Sequence, residues 1–272
     1  MFHTEKPFPG VSHISDAMGV CFTLIEGKER AVLFDTGYGT ENVREYISTL
    51  TAKPVTVVLS HGHHDHVLGA RWFNRTVICA EDLEEFRMRT GREQRNKVAG
   101  QAGQKAVPVP GDFLTARIAE PIPVVFHEKL GPFEAETTDL GGRKVLLIHV
   151  PGHTPGSVVF YVEDCGLLLT GDNWNPCTWM WFPSSAPVRK WRDNMKTLIG
   201  LLPKEAGVTF RHVLCSHQPA VRTAQELTEY LDYMTDERIS TASQVEMGST
   251  IHTCEIRMDS RGWTLVYDKD KA

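Results

Sequence analysis

Residues 55–66 read Val-Thr-Val-Val-Leu-Ser-His-Gly-His-His-Asp-His. In 55–60 β-branched residues dominate and no charge interrupts the run, which predicts a buried strand. Gly62 then permits a sharp turn. His61 and His63 are two apart, so in an extended or tightly curved segment both rings leave the same side. Asp65 and His66 point elsewhere, toward a second centre nearby. Imidazole nitrogens with a carboxylate oxygen are the ligand set of Zn, Fe, Mn or Ni rather than of Ca or Mg. One strand end can therefore feed two metal ions. The blander interpretation is a solvated histidine loop, and for any one histidine it weighs as much. Four histidines and an aspartate within six residues, at the end of a buried strand, favour metal binding.

At 272 residues the chain is long enough for a large core and near the upper end of one domain. Hydrophobic residues make up 41% and charged ones 23%, the balance of an ordinary globular enzyme. The formal charge of −5 comes with no basic block. Arg87, Arg89, Arg92, Arg95 and Lys97 alternate with Glu84, Glu85 and Glu93, a mixed helix face that gives nucleic-acid binding no support. The first residues show no apolar signal region, which argues against export. No apolar run reaches the roughly 18 residues that a membrane span needs. Six widely spaced cysteines without a C-x-x-C pair suit reduced thiols, so a cytoplasmic enzyme acting on a small molecule is expected. Nothing in the pattern sets an oligomeric state.

Along the chain, residues 1–18 are expected to be an irregular entry, because Pro7, Pro9 and Gly10 break any period. Strands are predicted at 20–26 and 31–34 around a turn at 27–30, then a helix at 42–50. Asp35, at the end of the second strand, is either a turn residue or a carboxylate that orients a ligand imidazole. A short helix begins near Asp65, a strand spans 76–80, and a charged helix runs from Glu81 to about Val98. From 99 to 135 prolines and glycines punctuate the pattern, and 81–135 is taken as an insertion. Strands return at 144–150, 157–162, 167–170 and 212–215, with helices at 187–202 and 221–238. A hairpin at about 254–268 closes the chain. No linker divides it, so residues 1–272 are taken as one domain with two sheets face to face and helices outside.

Three of these later strands end like the first. His153 follows the strand at 144–150, Asp172 follows 167–170, and His217 follows 212–215. Each alone is an ordinary turn residue, but repetition over four strand ends points to one site built on rigid tips.

The set His61-x-His63-x-Asp65-His66, His153, Asp172 and His217 resembles the metallo-β-lactamase fold superfamily over residues 18–238. The resemblance implies an α/β architecture, an αββα sandwich of two mixed β-sheets with helices on both outer faces and a dinuclear centre. It implies that His61, His63 and His153 hold one metal, that Asp65, His66 and His217 hold the other, and that Asp172 bridges them. Residues 152–157, Gly-His-Thr-Pro-Gly-Ser, and 169–172, Leu-Thr-Gly-Asp, are similar to glyoxalase II and related hydrolases. The di-iron flavoprotein branch carries glutamate where this chain has His63, so the hydrolytic branches fit better. Zinc is the default metal, with iron or manganese accepting the same ligands.

Two such ions would share a water and lower its pKa, supplying a hydroxide toward an acyl carbonyl, and Asp65 would orient it. The implied activity is hydrolysis of an ester, thioester or lactone. Phosphodiester or β-lactam cleavage on the same centre is the alternative, and a non-catalytic metal-binding or interaction module is the alternative of another class. His64 alternates away from its neighbours and is assigned to the surroundings of the ligands. Residues 174–183, Trp-Asn-Pro-Cys-Thr-Trp-Met-Trp-Phe-Pro, follow Asp172 and are either core or an aromatic wall, with Trp174 and Trp179 as its candidates.

Overall fold

The structure is a computed structural model that describes residues 1–205, 209–248 and 250–272, with backbone only for 203–205. It resolves into two compact halves. The first comprises Met1–Val125, Thr137–Val145 and Ser216–Pro219; the second comprises Phe126–Glu136, Leu146–Cys215 and Ala220–Ala272.

The first half carries a sheet ordered β1 to β7: β1 (His3–Phe8), β2 (Val11–Ser15), β3 (Cys21–Glu26), β4 (Ala31–Phe34), β5 (Val55–Val58), β6 (Val77–Ile78) and β7 (Ile122–Pro123). β1 to β4 are antiparallel, and β4 to β7 run parallel. β4 is buried throughout, as a central strand covered on both faces must be. Its helices are α1 (Val43–Leu50), α2 (His64–Val67), α3 (Leu83–Thr90) and α4 (Arg92–Gln104). Asn42 caps α1 by accepting from the Glu45 N–H at 3.1 Å. Phe22, Leu24, Leu33, Val57, Leu59 and Val67 form the heart of this half's core.

A second sheet, most of whose residues belong to the second half, is ordered β15-β14-β12-β11-β10-β9-β8. Its strands are β8 (Glu128–Leu130), β9 (Phe133–Asp139), β10 (Lys144–His149), β11 (Val158–Val162), β12 (Leu167–Leu169), β14 (His212–Cys215) and β15 (Gln218–Thr223). A smaller sheet, ordered β13-β18-β17-β16, joins β13 (Cys177–Met180) to β16 (Ser243–Val245), β17 (Thr253–Met258) and β18 (Trp263–Asp268). The closing hairpin is therefore the middle of a third sheet, a partner that its own sequence does not announce. The helices are α5 (Val188–Glu205), α6 (Ala224–Tyr233) and α7 (Asp236–Thr241). On α5, Trp191, Met195, Leu198 and Leu202 are fully buried on one stripe, each contributing roughly 1.5–3 kcal/mol. Among the described residues no helix is long and apolar enough to cross a membrane.

Three expectations are corrected. Residues 1–18 are not irregular: β1 and β2 pair, because β1 is an edge strand where Pro7 needs no donor, and Gly10 turns with φ 67°. The charged helix from Glu81 is two helices broken at Gly91, and it continues to Gln104. Residues 221–223 extend a strand, and the helix begins only at Ala224, where Thr223 and Glu226 close a reciprocal capping box. Within the region of weak pattern, 122–123, 128–130 and 133–139 are strands.

Buried His13 on β2 shares hydrogen bonds through Nδ1 with Thr23 Oγ1 at 2.9 Å and through Nε2 with the Gln218 carbonyl at 3.5 Å. Burial pushes its imidazole down to about 4, against a smaller upward pull from that carbonyl. Below the ordinary value of 6.5 the unfolded chain takes up a proton that the folded chain refuses until about 4. Stability is thus whole above 6.5 and drains as the pH falls toward 4, by roughly 3 kcal/mol in all. Urea unfolding midpoints measured from pH 7 to 4 are expected to decline less steeply in His13→Leu than in the parent chain.

Candidate metal centre

The histidine loop is fixed from below by Asp35. This carboxylate is fully buried at the end of β4, and its backbone has φ 69°, a conformation that Asp tolerates better than most residues. Asp35 Oδ1 accepts from the Ser60 N–H at 2.7 Å, and Oδ2 accepts from Ser60 Oγ at 2.7 Å and from His66 Nδ1 at 3.0 Å. Ser60 Oγ also lies 2.9 Å from His61 Nδ1. The Thr36 N–H and hydroxyl both donate to the His66 carbonyl, at 2.9 and 2.8 Å. With Asp35 as the acceptor, His66 carries its proton on Nδ1, and its Nε2 is the candidate donor atom toward a cation.

In the first half the residues of the histidine loop belong to two candidate metal-binding groups, and Cys79 and Glu81 belong to a third. His61 and His63 form one; Asp65, His66 and His217 form the other, with their donor atoms within 4.8 Å of one another inside each group. The His61 ring centroid is 4.7 Å from that of His63 and 4.2 Å from that of His66. Asp65 Oδ2 is 3.5 Å from His66 Nε2 and 3.6 Å from His217 Nε2. Burial works to raise the Asp65 carboxyl, but the imidazoles of His66, His64 and His217 outweigh it and hold the group well below the usual carboxylate range. His64 stands outside both groups, edge-on to Tyr38 at 5.6 Å, and burial pushes its imidazole down to about 4.

Glu85 on α3 was not legible in the sequence. Its Oε1 is 3.4 Å from His63 Nε2 and 2.7 Å from Arg89 Nε. His63 draws this carboxyl down to about 2 against burial, with help from Arg89. The same helix explains Gly62. A Cβ there would lie 2.7 Å from the Phe86 nitrogen and 2.8 Å from Glu85 Cβ, so the glycine serves close approach by α3; it is not among the residues with positive φ. Its N–H donates to Asp82 Oδ2 at 2.7 Å.

In the second half, His153 leaves the end of β10 through Pro151-Gly152. Its Nδ1 donates to the Trp179 carbonyl at 2.7 Å, its N–H to Asn173 Oδ1 at 2.9 Å, and its carbonyl accepts from Ser185 Oγ at 2.8 Å. The tautomer is again fixed, with Nε2 facing Asp172 Oδ2 at 3.6 Å. Asn175 Nδ2 donates to Asp172 Oδ1 at 3.1 Å. Trp174 does not line a pocket: it is fully buried against Tyr230 and Trp263, with ring centroids 6.0 and 5.8 Å away. Trp179, in contrast, is 40% exposed. Imidazoles whose second nitrogens are tied to oxygens, gathered with ionised carboxylates, suit divalent Zn, Fe or Mn.

A family model described as the metallo-beta-lactamase superfamily matches residues 18–212. The chain belongs to that superfamily. Its mixed β-sheets flanked by helices are the fold of the family, and its two candidate groups make it a candidate dinuclear metal hydrolase. An uncharacterized protein of Mycobacterium tuberculosis is 32% identical over 163 residues, 56% of this chain and 66% of the relative. The human protein named acyl-coenzyme A thioesterase MBLAC2 is 24% identical over 164 residues, 55% of this chain and 56% of its own. The chain thus spans less than two thirds of these relatives. Among solved structures, a metallo-beta-lactamase from Pontibacter korlensis superposes with a TM-score of 0.57 at 18% identity, covering 85% of this chain and 98% of its own. The sec-alkylsulfatase Pisa1 from Pseudomonas sp. reaches 0.63 at 20% identity, covering 88% of this chain and 42% of its own. At such identities these likenesses speak for the fold alone.

The close approach of α3 gives a direct test. Gly62→Ala is expected to lower unfolding free energy by about 1–3 kcal/mol, the usual cost of overpacking, in urea denaturation of the metal-stripped protein.

Proposed function

We propose that this chain is a hydrolase of the glyoxalase II-like branch that uses two divalent metal ions, zinc by default, to cleave an ester, thioester or lactone. The observation that carries this reading is the packing of an ionised, nearly buried Asp65 among imidazoles whose tautomers are set by their neighbours. In this assignment His61, His63 and His153 would hold one ion, Asp65, His66 and His217 would hold the other, and Asp172, which groups with the second set, would be shared between them. When bound, such a pair supplies Lewis acidity, polarising an acyl carbonyl and lowering the pKa of a shared water.

The protein's own groups then have separable tasks. Asp65 stays a carboxylate at neutral pH, so it accepts a hydrogen bond from the attacking water and turns it toward the carbonyl. Asp35 holds His66, and with Ser60 orients His61. Glu85 steadies His63, and the Trp179 carbonyl steadies His153. Their value lies in preorganisation, since ligands already aimed lose little freedom on binding. The thioesterase named among the relatives favours the thioester within the three bond types.

The test begins with a chelator-stripped chain reloaded with zinc, manganese or iron. Two ions per chain by elemental analysis, and turnover of thioesters, esters or lactones that appears only on reloading, are expected. Asp65→Asn should lower kcat by roughly 10²–10⁴-fold, the range of a lost general base. Asp35→Asn should weaken metal affinity by about 10–100-fold, as loss of an orienting partner does, read by competition with a chromogenic chelator. Full metal loading without turnover of these substrates, phosphodiesters or β-lactams would return the chain to the non-catalytic class.

A further inference from the structure

Next to His153 the structure presents three aromatic rings, one exposed and two half-buried. β13 alternates, with Thr178 and Met180 inward and buried and Cys177 and Trp179 outward and exposed. Trp181 and Phe182 follow, half-buried, and stack with centroids 4.7 Å apart at 22°. Trp179 leans on this pair, 6.0 Å from Trp181 at 57° and 6.5 Å from Phe182 at 49°. The cluster adjoins the candidate centre twice. Phe182 meets the His153 ring edge-on at 5.3 Å, and the Trp179 carbonyl accepts from His153 Nδ1.

The cluster is also held in place. Lys271 Nζ donates to the carbonyls of Phe182, Pro183 and Ser185, at 3.2, 2.6 and 2.9 Å. The Ala186 N–H donates to the Gly152 carbonyl at 2.9 Å, and β13 is paired along its length with β18. An exposed tryptophan on a paired strand contributes little to folding, whereas a preorganised apolar surface beside a reactive centre contributes to binding.

We infer that Trp179, Trp181 and Phe182 form the subsite for the alkyl chain of an acyl substrate, and so determine its chain-length specificity; this rests on the hydrolase reading above. Ring geometry selects a chain over a flat ring. A planar substrate that stacks with the Trp181–Phe182 pair meets Trp179 at about 50°, neither parallel nor perpendicular to it. An alkyl chain, bound by non-directional burial, is indifferent to that angle.

The experiment measures equilibrium binding and turnover separately. Non-hydrolysable S-alkyl thioethers from ethyl to decyl are titrated into the metal-loaded full chain, read by calorimetry. Affinity should rise about threefold to fourfold per methylene, the equivalent of about 0.8 kcal/mol each, until the cluster is covered. Trp179→Ala and, independently, Phe182→Leu should flatten that slope, and Trp179→Phe should restore part of it, at metal stoichiometry equal to the parent's. A flat series in the parent chain, a slope untouched by both variants, or tighter binding of a benzyl than of a hexyl thioether would overturn the proposal. Acyl turnover with no dependence on chain length would sink the subsite and leave the hydrolase standing. A steep thioether series without turnover would do the reverse.

Discussion

One buried carboxylate sets the direction of the histidine loop. Asp35 has no contact with solvent, so each of its oxygens must be satisfied by the protein, and a buried charge left unpaired is among the costliest faults a fold can contain. The donors that satisfy it are the Ser60 N–H, the Ser60 hydroxyl and His66 Nδ1. Each also decides something for the loop: where the chain leaves β5, how His61 is held, and which nitrogen of His66 faces inward. The cost of burying the charge and the orientation of the loop are thus a single arrangement.

Around this anchor the same device recurs with different partners. His63 has a carboxylate from α3, and His153 has a main-chain carbonyl from β13. The carbonyl fixes the tautomer of His153, while Glu85 places a carboxylate 3.4 Å from His63 Nε2. Asp65 is the exception that this makes possible. Surrounded by imidazoles, it stays ionised despite burial, while the neighbouring His64, outside the groups, is driven toward neutrality by the same burial.

The parts of this design legible in the sequence are those that repeat locally. Apolar runs ending in a polar residue marked β5, β10, β12 and β14, and the residue types at their tips marked the candidate ligands. Asp35 was visible as an acid at a strand end, though not its choice between turn and partner. Glu85 was hidden in a charged helix, because its role comes from α3 packing over Gly62, a contact between segments with no local signature. β1 was hidden by its prolines, which read as breakers unless the strand is known to be an edge. Trp174 and Trp179 looked alike in one aromatic stretch. Only the alternation of β13 and the core around Tyr230 separate a packed tryptophan from an exposed one.

The prolines that obscured the first strand recur. β1 carries Pro7, β7 carries Pro123 and β15 carries Pro219, and each of these is a terminal strand of its sheet; the remaining rim of the second sheet, β8, displays Glu128 and Lys129. A missing donor or a charged side chain interrupts the ladder that a neighbouring molecule would need for strand-to-strand association. Both large sheets are thereby guarded against templated aggregation in a crowded solution, with the guards written into the margins of the fold.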